Sequence, residues 1–276
     1  MAPRFLSYAL SLAMLAAAFS AGAEEDVLLA TTTSVRDSGL LDALLPDFEA
    51  QTGRRVRVVA VGTGAALRMG AEGNADLLLT HAPAAEEALV ASGAVLGRVP
   101  FMENHFVLAG PEEDPARVGE AVNPADAYRR IARSSSPYVS RSDDSGTHKR
   151  EKILLRDAGL PETGGWPGFA RTGSGMGITL QVAGERRAYV LSDVGTFLAF
   201  REVTGLVALS KPTPAYRNVY ALLRVDPARF PRVHADAARS LEAFLLSAPT
   251  RERIAAFGRD RYGRALFVPI EAGSDP

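Results

Sequence analysis

Residues 27–50 read VLLATTTSVRDSGLLDALLPDFEA, an apolar run followed by a polar turn and then by a helical pattern. Val27 to Ala30 predict a buried strand, and the apolar side chains between Leu40 and Phe48 recur with the period of an α-helix. Pro46 predicts a kink or a break within that helix. Arg55 to Val61 predict the next strand. A strand, a helix and a second strand in this order indicate a βα unit of a mainly parallel sheet.

The same alternation of short strands and helices continues to the C-terminus, without an internal repeat of the kind that solenoid proteins have. Two strands, Phe101 to Ala109 and Asn218 to Val225, are predicted to cross between two lobes. Residues 24–105 together with 218–276 are predicted to form the first lobe, and residues 106–217 the second. The fold class is therefore predicted to be α/β, with each lobe a mixed sheet flanked by helices.

The composition is that of a globular protein, and it excludes several classes of function. The 276 residues include 31 lysines and arginines, 32 aspartates and glutamates, and no cysteine. Without cysteine there is no disulfide, no thiolate metal site and no cysteine nucleophile. A formal net charge of −1, with no run of basic residues, argues against nucleic acid as a partner. The four histidines lack the spacing of a metal-binding pair, so we predict no metal and no cofactor.

The N-terminus has the pattern of a secretory signal peptide. Arg4 supplies a positive charge, Leu6 to Ala18 form an apolar run, and the small residues AGA at 21–23 provide a cleavage site. A membrane anchor is the alternative, but a bilayer span needs roughly 20 apolar residues. Residues 1–23 are therefore predicted to be removed, and residues 24–276 to be exported to the periplasm. Because no cysteine follows the cleavage site, we predict no lipid anchor.

Four loops place glycine, serine or threonine between a predicted strand and the start of a helix. These loops are Thr31 to Ser34, Gly62 to Gly64, Ser145 to Thr147, and Gly173 to Gly175. Ligands of α/β proteins bind at this end of the strands, and free N–H groups at helix N-termini attract anions. Each loop taken singly also fits helix capping or a turn. The four loops together favour a shared site for one small anion.

Arg141 is the cation beside these loops, and its guanidinium group can donate to an oxyanion. An ion pair with Asp143 or Asp144 is the alternative use of this side chain. A protonated phosphate needs an acceptor as well as donors, whereas the dianions sulfate, molybdate and tungstate need donors alone. Because Asp143 and Asp144 are available as acceptors, phosphate stays open beside those dianions.

Eight residues are predicted to bind the anion. They are Thr32, Thr33, Ser34, Thr63, Arg141, Ser145, Thr147 and Ser174. The alternative from another class of protein is an exported serine hydrolase that uses Ser145 or Ser174, with His148 as its base. It is disfavoured because the segment around Ser174 lacks the first glycine of the nucleophile elbow. We therefore predict a binding protein rather than an enzyme.

Several motifs, in the same order, resemble those of the periplasmic tungstate-binding proteins of tungstate ABC transporters. These motifs are LLATTTS at 28–34, DSGLL at 37–41, VGTG at 61–64, DDSGTH at 143–148 and GMG at 175–177. The resemblance runs from about Val27 to the C-terminus. It implies a two-lobed periplasmic binding protein fold, similar to type II, that closes on tungstate or molybdate in the cleft between the lobes.

The resemblance also implies roles for individual residues and a partner. The family's T-T-T-S motif falls on Thr31 to Ser34, and its arginine and threonine ligand contacts fall on Arg141 and Thr147. The expected partner is the membrane permease of an ABC transporter, to which the closed receptor, a monomer, delivers the anion.

One segment departs from the family pattern. The family often has an arginine after the aspartate of its S/T-D-R-G-T segment, whereas this chain reads SDVGT at residues 192–196. The change either removes a charged contact at the cleft or alters the packing of a lobe. Val194 is therefore left out of the predicted site.

Overall fold

The computed structural model describes residues 25–271. The predicted signal peptide, residues 1–23, lies outside the described residues, so its removal stays a prediction. Between residues 25 and 271, no helix is both long enough and apolar enough to cross a membrane.

Short strands and helices alternate along this part of the chain. The strands are β1 (Val27–Thr32), β2 (Val56–Val61), β3 (Leu77–Thr80), β4 (Val99–Gly110), β5 (Tyr138–Ser140), β6 (Phe169–Arg171), β7 (Val190–Asp193), β8 (Val207–Ala208), β9 (Arg217–Arg224) and β10 (Val268–Pro269). The helices are α1 (Thr33–Asp37), α2 (Leu40–Thr52), α3 (Thr63–Ala71), α4 (Pro83–Ala91), α5 (Pro124–Arg133), α6 (Gly146–Asp157), α7 (Met176–Glu185), α8 (Val194–Thr204), α9 (Ala235–Leu246), α10 (Ala248–Ala256) and α11 (Arg259–Tyr262). Two short 3-10 helices span Val118–Glu120 and Pro214–Tyr216.

The first sheet has the strand order β10-β4-β9-β3-β1-β2. β1 pairs in parallel with both β2 and β3, so that Leu29 lies opposite Val58 on one side and Leu77 on the other. β9 pairs antiparallel with β3 and β4, which makes the sheet mixed. Because β1, β2 and β3 run parallel, the loops that follow them emerge at the same edge of the sheet.

β4 extends beyond the first sheet into a second group of strands. Its residues 106–110 pair antiparallel with β7 and β8, and β5 pairs in parallel with β6. The Val139 N–H donates to Tyr189 O at 2.8 Å and joins β5 to the start of β7. β4 therefore takes part in both groups of strands. The boundaries of the lobes at 105/106 and 217/218 stay a prediction.

Strand residues alternate between the two faces of each sheet, and helices cover both faces. In the first sheet, Leu29 packs in a cluster with α2, α9 and α10, whereas the next residue, Ala30, packs with α3 and α4. In the second group of strands, Leu108 packs with α5 and α6, whereas Val107 packs with α7 and α8. The two-residue period of a strand thus buries apolar side chains on both faces.

Two local features differ from the sequence prediction. Residues Thr33–Asp37, expected only as a polar stretch, form the one-turn helix α1 directly after β1. α2 runs unbroken from Leu40 to Thr52 through Pro46. Pro46 is exposed, so the carbonyl that loses its N–H donor faces water, and the buried Leu44 and Phe48 hold the helix on the core.

Candidate functional site

The loop after β1 supplies two buried hydroxyls. Thr32 Oγ1 and Ser34 Oγ are 3.1 Å apart, and both residues are buried, whereas Thr33 is half-buried. Thr32 is the N-cap of α1, but its side chain accepts no capping hydrogen bond. The first N–H groups of α1 therefore lack a side-chain acceptor at this end of the helix.

Two further threonines have hydroxyls without a partner. Thr63 is the first residue of α3 and is fully buried, and Thr147 is the second residue of α6 and is 1% exposed. Within residues 25–271, neither Thr63 Oγ1 nor Thr147 Oγ1 has a hydrogen-bond partner. Buried hydroxyls without partners are rare in folded proteins because each costs free energy of desolvation. Thr213 and Tyr216 also have buried hydroxyls without a partner in this range, but Thr63 and Thr147 lie in the first turns of helices that follow the predicted loops, and this position indicates donors held for a ligand.

Arg141 follows β5 and is 3% exposed. Within residues 25–271, no other lysine or arginine is buried to this degree. Its Nη2 donates to Asp143 Oδ2 at 2.5 Å, and its Nε donates to Ser174 O at 3.4 Å. The other oxygen of Asp143 accepts from the Ser145 N–H at 3.2 Å. The ion pair that the sequence left open is therefore present, and it holds the guanidinium beside the loop that starts α6.

Contacts between the loops bring their residues together. His81 is the residue directly after β3, and its Nε2 lies 3.5 Å from Ser34 Oγ. A Cβ at Gly146 would lie 2.7 Å from His81 Nδ1. A Cβ at Gly64 would lie 2.5 Å from Asp144 Oδ2. The loops after β1, β2 and β3 thus meet the loop that joins β5 to α6. The bond from Arg141 to Ser174 O adds the fourth predicted loop.

Ser145 and Ser174 differ in whether their hydroxyl hydrogens are free to donate to a ligand. Ser145 is the N-cap of α6, and its Oγ accepts from the His148 N–H at 3.3 Å, which leaves its own hydrogen free to donate. Ser174 is half-buried, and its Oγ donates to Thr172 O at 3.2 Å. His148 Nδ1 accepts from the Asp144 N–H at 3.1 Å. Because Nδ1 accepts, the neutral ring carries its proton on Nε2, which then cannot act as a general base, and this arrangement does not support a serine hydrolase.

Sequence reasoning missed His81, which lies behind the first loop. Asn218 Nδ2 donates to Asn104 Oδ1 at 2.8 Å and to Tyr220 OH at 2.9 Å, so its Oδ1 faces His81 Nδ1 at 2.8 Å as an acceptor. Burial lowers the pKa of His81 to about 4, so the ring is neutral at pH 7. The proton then sits on Nδ1, and Nε2 is an acceptor 3.5 Å from Ser34 Oγ, so the Ser34 hydroxyl donates either to His81 or to a ligand. No sequence signal marked His81, because its partner Asn218 is 137 positions away.

Asp193 and Val194 at the start of α8 show what the departure from the family pattern does. Asp193 is buried and accepts from the Thr196 N–H at 2.9 Å and from Thr196 Oγ1 at 2.7 Å. Burial raises the pKa of Asp193, while Thr196 and the charge of Arg141 oppose that rise. Val194 is 3% exposed and packs in the same apolar cluster as Leu180 and Phe197. Valine at this position thus contributes to the packing of α7 and α8.

The assembled loops are rich in donors and poor in free acceptors. The donors are hydroxyls, first-turn N–H groups and one buried guanidinium. Of the nearby carboxylates, Asp143 is paired with Arg141, and Asp144 Oδ1 lies 2.6 Å from Lys149 Nζ. In the described part of the chain, no cluster of histidine and acidic residues could hold a metal ion. Such a site suits an anion that carries no proton of its own.

Comparison with known proteins places the chain among solute receptors. A family model described as a PBP superfamily domain matches residues 18–249. The chain is 41% identical over 254 residues to the tungstate-binding protein TupA of Peptoclostridium acidaminophilum. The matched segment covers 91% of this chain and 87% of that protein. The chain is 34% identical over 240 residues to TupA of Campylobacter jejuni, and this match covers 85% of this chain and 87% of that protein. The solved structure of the tungstate-binding protein TupA from Desulfovibrio alaskensis G20 matches with a TM-score of 0.78 and 38% identity, covering 90% of this chain and 99% of that one.

The mixed α/β fold and the donor-rich loops are those of a solute-binding protein of the PBP superfamily, to which the chain belongs. Within that superfamily the chain is a member of the TupA family of tungstate-binding proteins. The resemblance and the fold class predicted from the sequence are thereby confirmed. The protein is a binding component of a transporter and not an enzyme.

Proposed function

We propose that this chain captures tungstate, or its near-equal molybdate, between its two lobes and delivers it to the permease of an ABC transporter. The observation that carries the proposal is that Thr63 Oγ1 and Thr147 Oγ1, both in the first turn of a helix at the predicted loops, are buried without a described partner. They begin helices that belong to different predicted lobes. A tetrahedral oxyanion between them would accept from both, and would accept from Arg141 as well.

The pairing of the nearby carboxylates favours a fully ionised anion over phosphate. A protonated phosphate needs an acceptor, yet Asp143 already accepts from Arg141 and from the Ser145 N–H. Asp144 is paired with Lys149. Sulfate satisfies the same demand for donors as tungstate and molybdate do, so discrimination against sulfate depends on the size of the closed cleft.

The site residues stay those predicted from the sequence, with His81 added behind them. Thr32, Thr33 and Ser34 with Thr63 donate from one side, and Arg141, Ser145 and Thr147 from the other. Ser174 contributes through its carbonyl, which holds Arg141. The mature chain, residues 24–276, acts in the periplasm as a monomer, and hinge closure presents the loaded form to the permease.

Titration calorimetry of residues 24–276 with tungstate, molybdate, sulfate and phosphate tests the function. We expect one-to-one binding of tungstate and molybdate, with sulfate and phosphate at least roughly 100-fold weaker. All four titrations use the same pH and ionic strength. Equal affinity for sulfate and tungstate would contradict the proposal, as would the absence of binding heat with all four anions.

Gly146→Ala tests whether binding requires the lobes to close onto His81. The added Cβ would lie 2.7 Å from Nδ1 of a ring that Asn218 holds in place, so the contact between the two predicted lobes would be overpacked. We expect tungstate affinity to fall about tenfold, because overpacking costs about 1–3 kcal/mol. Calorimetry measures the change in Kd.

Gly97→Ala is the matched control for this substitution. A Cβ at Gly97 has no described atom within 4 Å. We therefore expect its Kd to equal that of the wild type. An unchanged Kd in Gly146→Ala would show that the contact between Gly146 and His81 plays no part in binding.

A further inference from the structure

Glu151 is a buried carboxylic acid behind the loop that carries Arg141. It lies on α6 and is 2% exposed. Ser140 Oγ donates to its Oε1 at 2.5 Å, and Tyr138 OH donates to its Oε2 at 2.9 Å. Both donors belong to β5, and Ser140 directly precedes Arg141. None of the proposed anion contacts involves this carboxyl group.

The hydrogen bonds around Ser140 have a fixed direction. Because the Ser140 hydroxyl donates to Glu151, its oxygen accepts from the Ser142 N–H at 3.2 Å and faces Ser142 Oγ at 3.2 Å. Ser140 and Ser142 flank Arg141, and Ser142 has a φ of 47° in the left-handed region. The carboxyl group of Glu151 therefore helps to hold both neighbours of Arg141.

The hydrogen-bond network around Glu151 accommodates both of its charge states. When Glu151 is ionised, Tyr138 donates to it and Tyr128 OH, 3.1 Å from Tyr138 OH, donates to Tyr138. When Oε2 carries a proton, the Glu151 hydroxyl donates to Tyr138, and the Tyr138 hydroxyl turns to Tyr128. Oε1 still accepts from Ser140 in both states, so the loop of Arg141 keeps its support.

Neighbouring charges shift the pKa of Glu151 in opposite directions. Burial raises the pKa of Glu151 to about 7, the hydrogen bonds from Ser140 and Tyr138 oppose that rise, and the charge of Asp143 adds to it. The titratable or charged groups around Glu151 on the neighbouring elements are Tyr128 on α5, Tyr138 on β5, Asp143 in the loop before α6 and Arg171 on β6. Of these, Arg171 is the cation, and its charge favours the ionised carboxylate.

We propose that Glu151 is a positioning residue that links anion binding to pH: it supports the loop of Arg141, and the complex takes up one proton from solvent at its Oε2. The inference rests on the proposed function. A dianion bound beside Arg141 places two negative charges near an acid that has little access to water, and the protonated form of that acid is then favoured.

The sign of the pH dependence follows from this linkage. The pKa of Glu151 is about 7 in the free protein, and under this proposal the bound dianion raises it further. The complex therefore holds more protons than the free protein above about pH 7. Affinity is greatest below that pH and falls as the pH rises, by at most about tenfold per pH unit for one proton.

Calorimetry of the wild type with tungstate, from about pH 6 to about pH 8.5 in two buffers of different ionisation heat, measures both quantities. We expect proton uptake and a roughly three- to tenfold weaker Kd per unit above pH 7. Glu151→Gln should bind tungstate with no proton uptake at this site and with a Kd that stays flat across the range. Glu162→Gln removes the same charge from an acid whose side chain is 38% exposed and is paired with Lys152 and Arg156, and it should keep the wild-type slope.

Tyr138→Phe provides a second variant in case Glu151→Gln does not fold. It removes one hydrogen bond that lowers the pKa of Glu151, so the midpoint of the pH profile should move upward. Proton uptake that persists in Glu151→Gln would place the proton on another group, such as His81, and overturn the inference. A wild type that binds tungstate with a flat profile would also overturn it, whereas a wild type that binds no anion would overturn the proposed function itself.

Discussion

Arg141→Ala is expected to weaken tungstate binding at least roughly 100-fold, because it removes a charge-assisted donor from a site with little access to water. The guanidinium is 3% exposed and is paired with Asp143. Without it, the half-buried Asp143 and the buried Asp193 lose a neighbouring positive charge, and the local field becomes less favourable for an anion. Calorimetry with tungstate at fixed ionic strength measures the loss.

Two further variants distinguish the hydrogen-bond donor role of the Arg141 guanidinium from the effect of its positive charge. Arg141→Lys keeps the charge but not the planar fork, and we expect an intermediate loss of affinity. Arg36→Ala removes an exposed arginine of α1 that is paired with Asp37 at 2.8 Å. Screening by salt makes the effect of that exposed charge small. If Arg36→Ala and Arg141→Ala weakened binding equally, only the net charge would matter, and Arg141 would lose its assigned role.

Thr63→Val and Thr147→Val should each weaken tungstate binding without lowering the stability of the ligand-free protein. Each variant removes one donor, and we expect about tenfold weaker tungstate binding for each and about 100-fold for the pair. The ligand-free protein should be as stable as the wild type or more stable, because a methyl group replaces a buried hydroxyl that has no described partner. Calorimetry and thermal unfolding, both with and without tungstate, measure these two effects.

Thr80→Val is the matched control for the two threonine variants. Thr80 is fully buried, and its Oγ1 donates to Glu86 Oε1 at 2.7 Å. Its removal should lower the free energy of unfolding by about 1–3 kcal/mol and leave the Kd unchanged. If Thr63→Val and Thr147→Val behaved like Thr80→Val, their hydroxyls would have structural partners rather than a ligand.

The predicted effects assign different roles to the residues of the proposed site. Arg141 supplies charge, whereas the threonine hydroxyls and the helix N-termini supply direction. Because Arg141 and Asp143 hold each other, the cation is in place before the anion arrives, and little free energy is spent on ordering it. Glu151 supports the same loop from behind through Ser140.

Local patterns were sufficient for the architecture. The apolar run from Val27 to Ala30 and the helical period from Leu40 to Phe48 predicted β1 and α2 correctly. The period of apolar side chains reflects which face of an element meets the core, and it is set within a few residues. The same reasoning did not anticipate α1, because one helical turn is too short to show a period.

The candidate residues were also recognisable, because loops between strands and helices carry a signature of glycine, serine and threonine. That signature does not say which hydroxyl has a partner. Thr63 and Ser174 have the same kind of local sequence, yet Thr63 Oγ1 has no described partner, whereas Ser174 Oγ donates to Thr172 O. Only the packing of the surrounding elements creates this difference.

Neighbours along the chain were thus enough to predict the α/β class, the loops and the residue types proposed to bind an oxyanion. The tertiary structure alone decided which groups are buried, paired and ionised. His81 is neutral because burial lowers its pKa, and this burial outweighs the opposing hydrogen bond to Asn218, 137 positions away. Hydrogen bonds and desolvation act between atoms that are close in space, and no spacing along the chain encodes them.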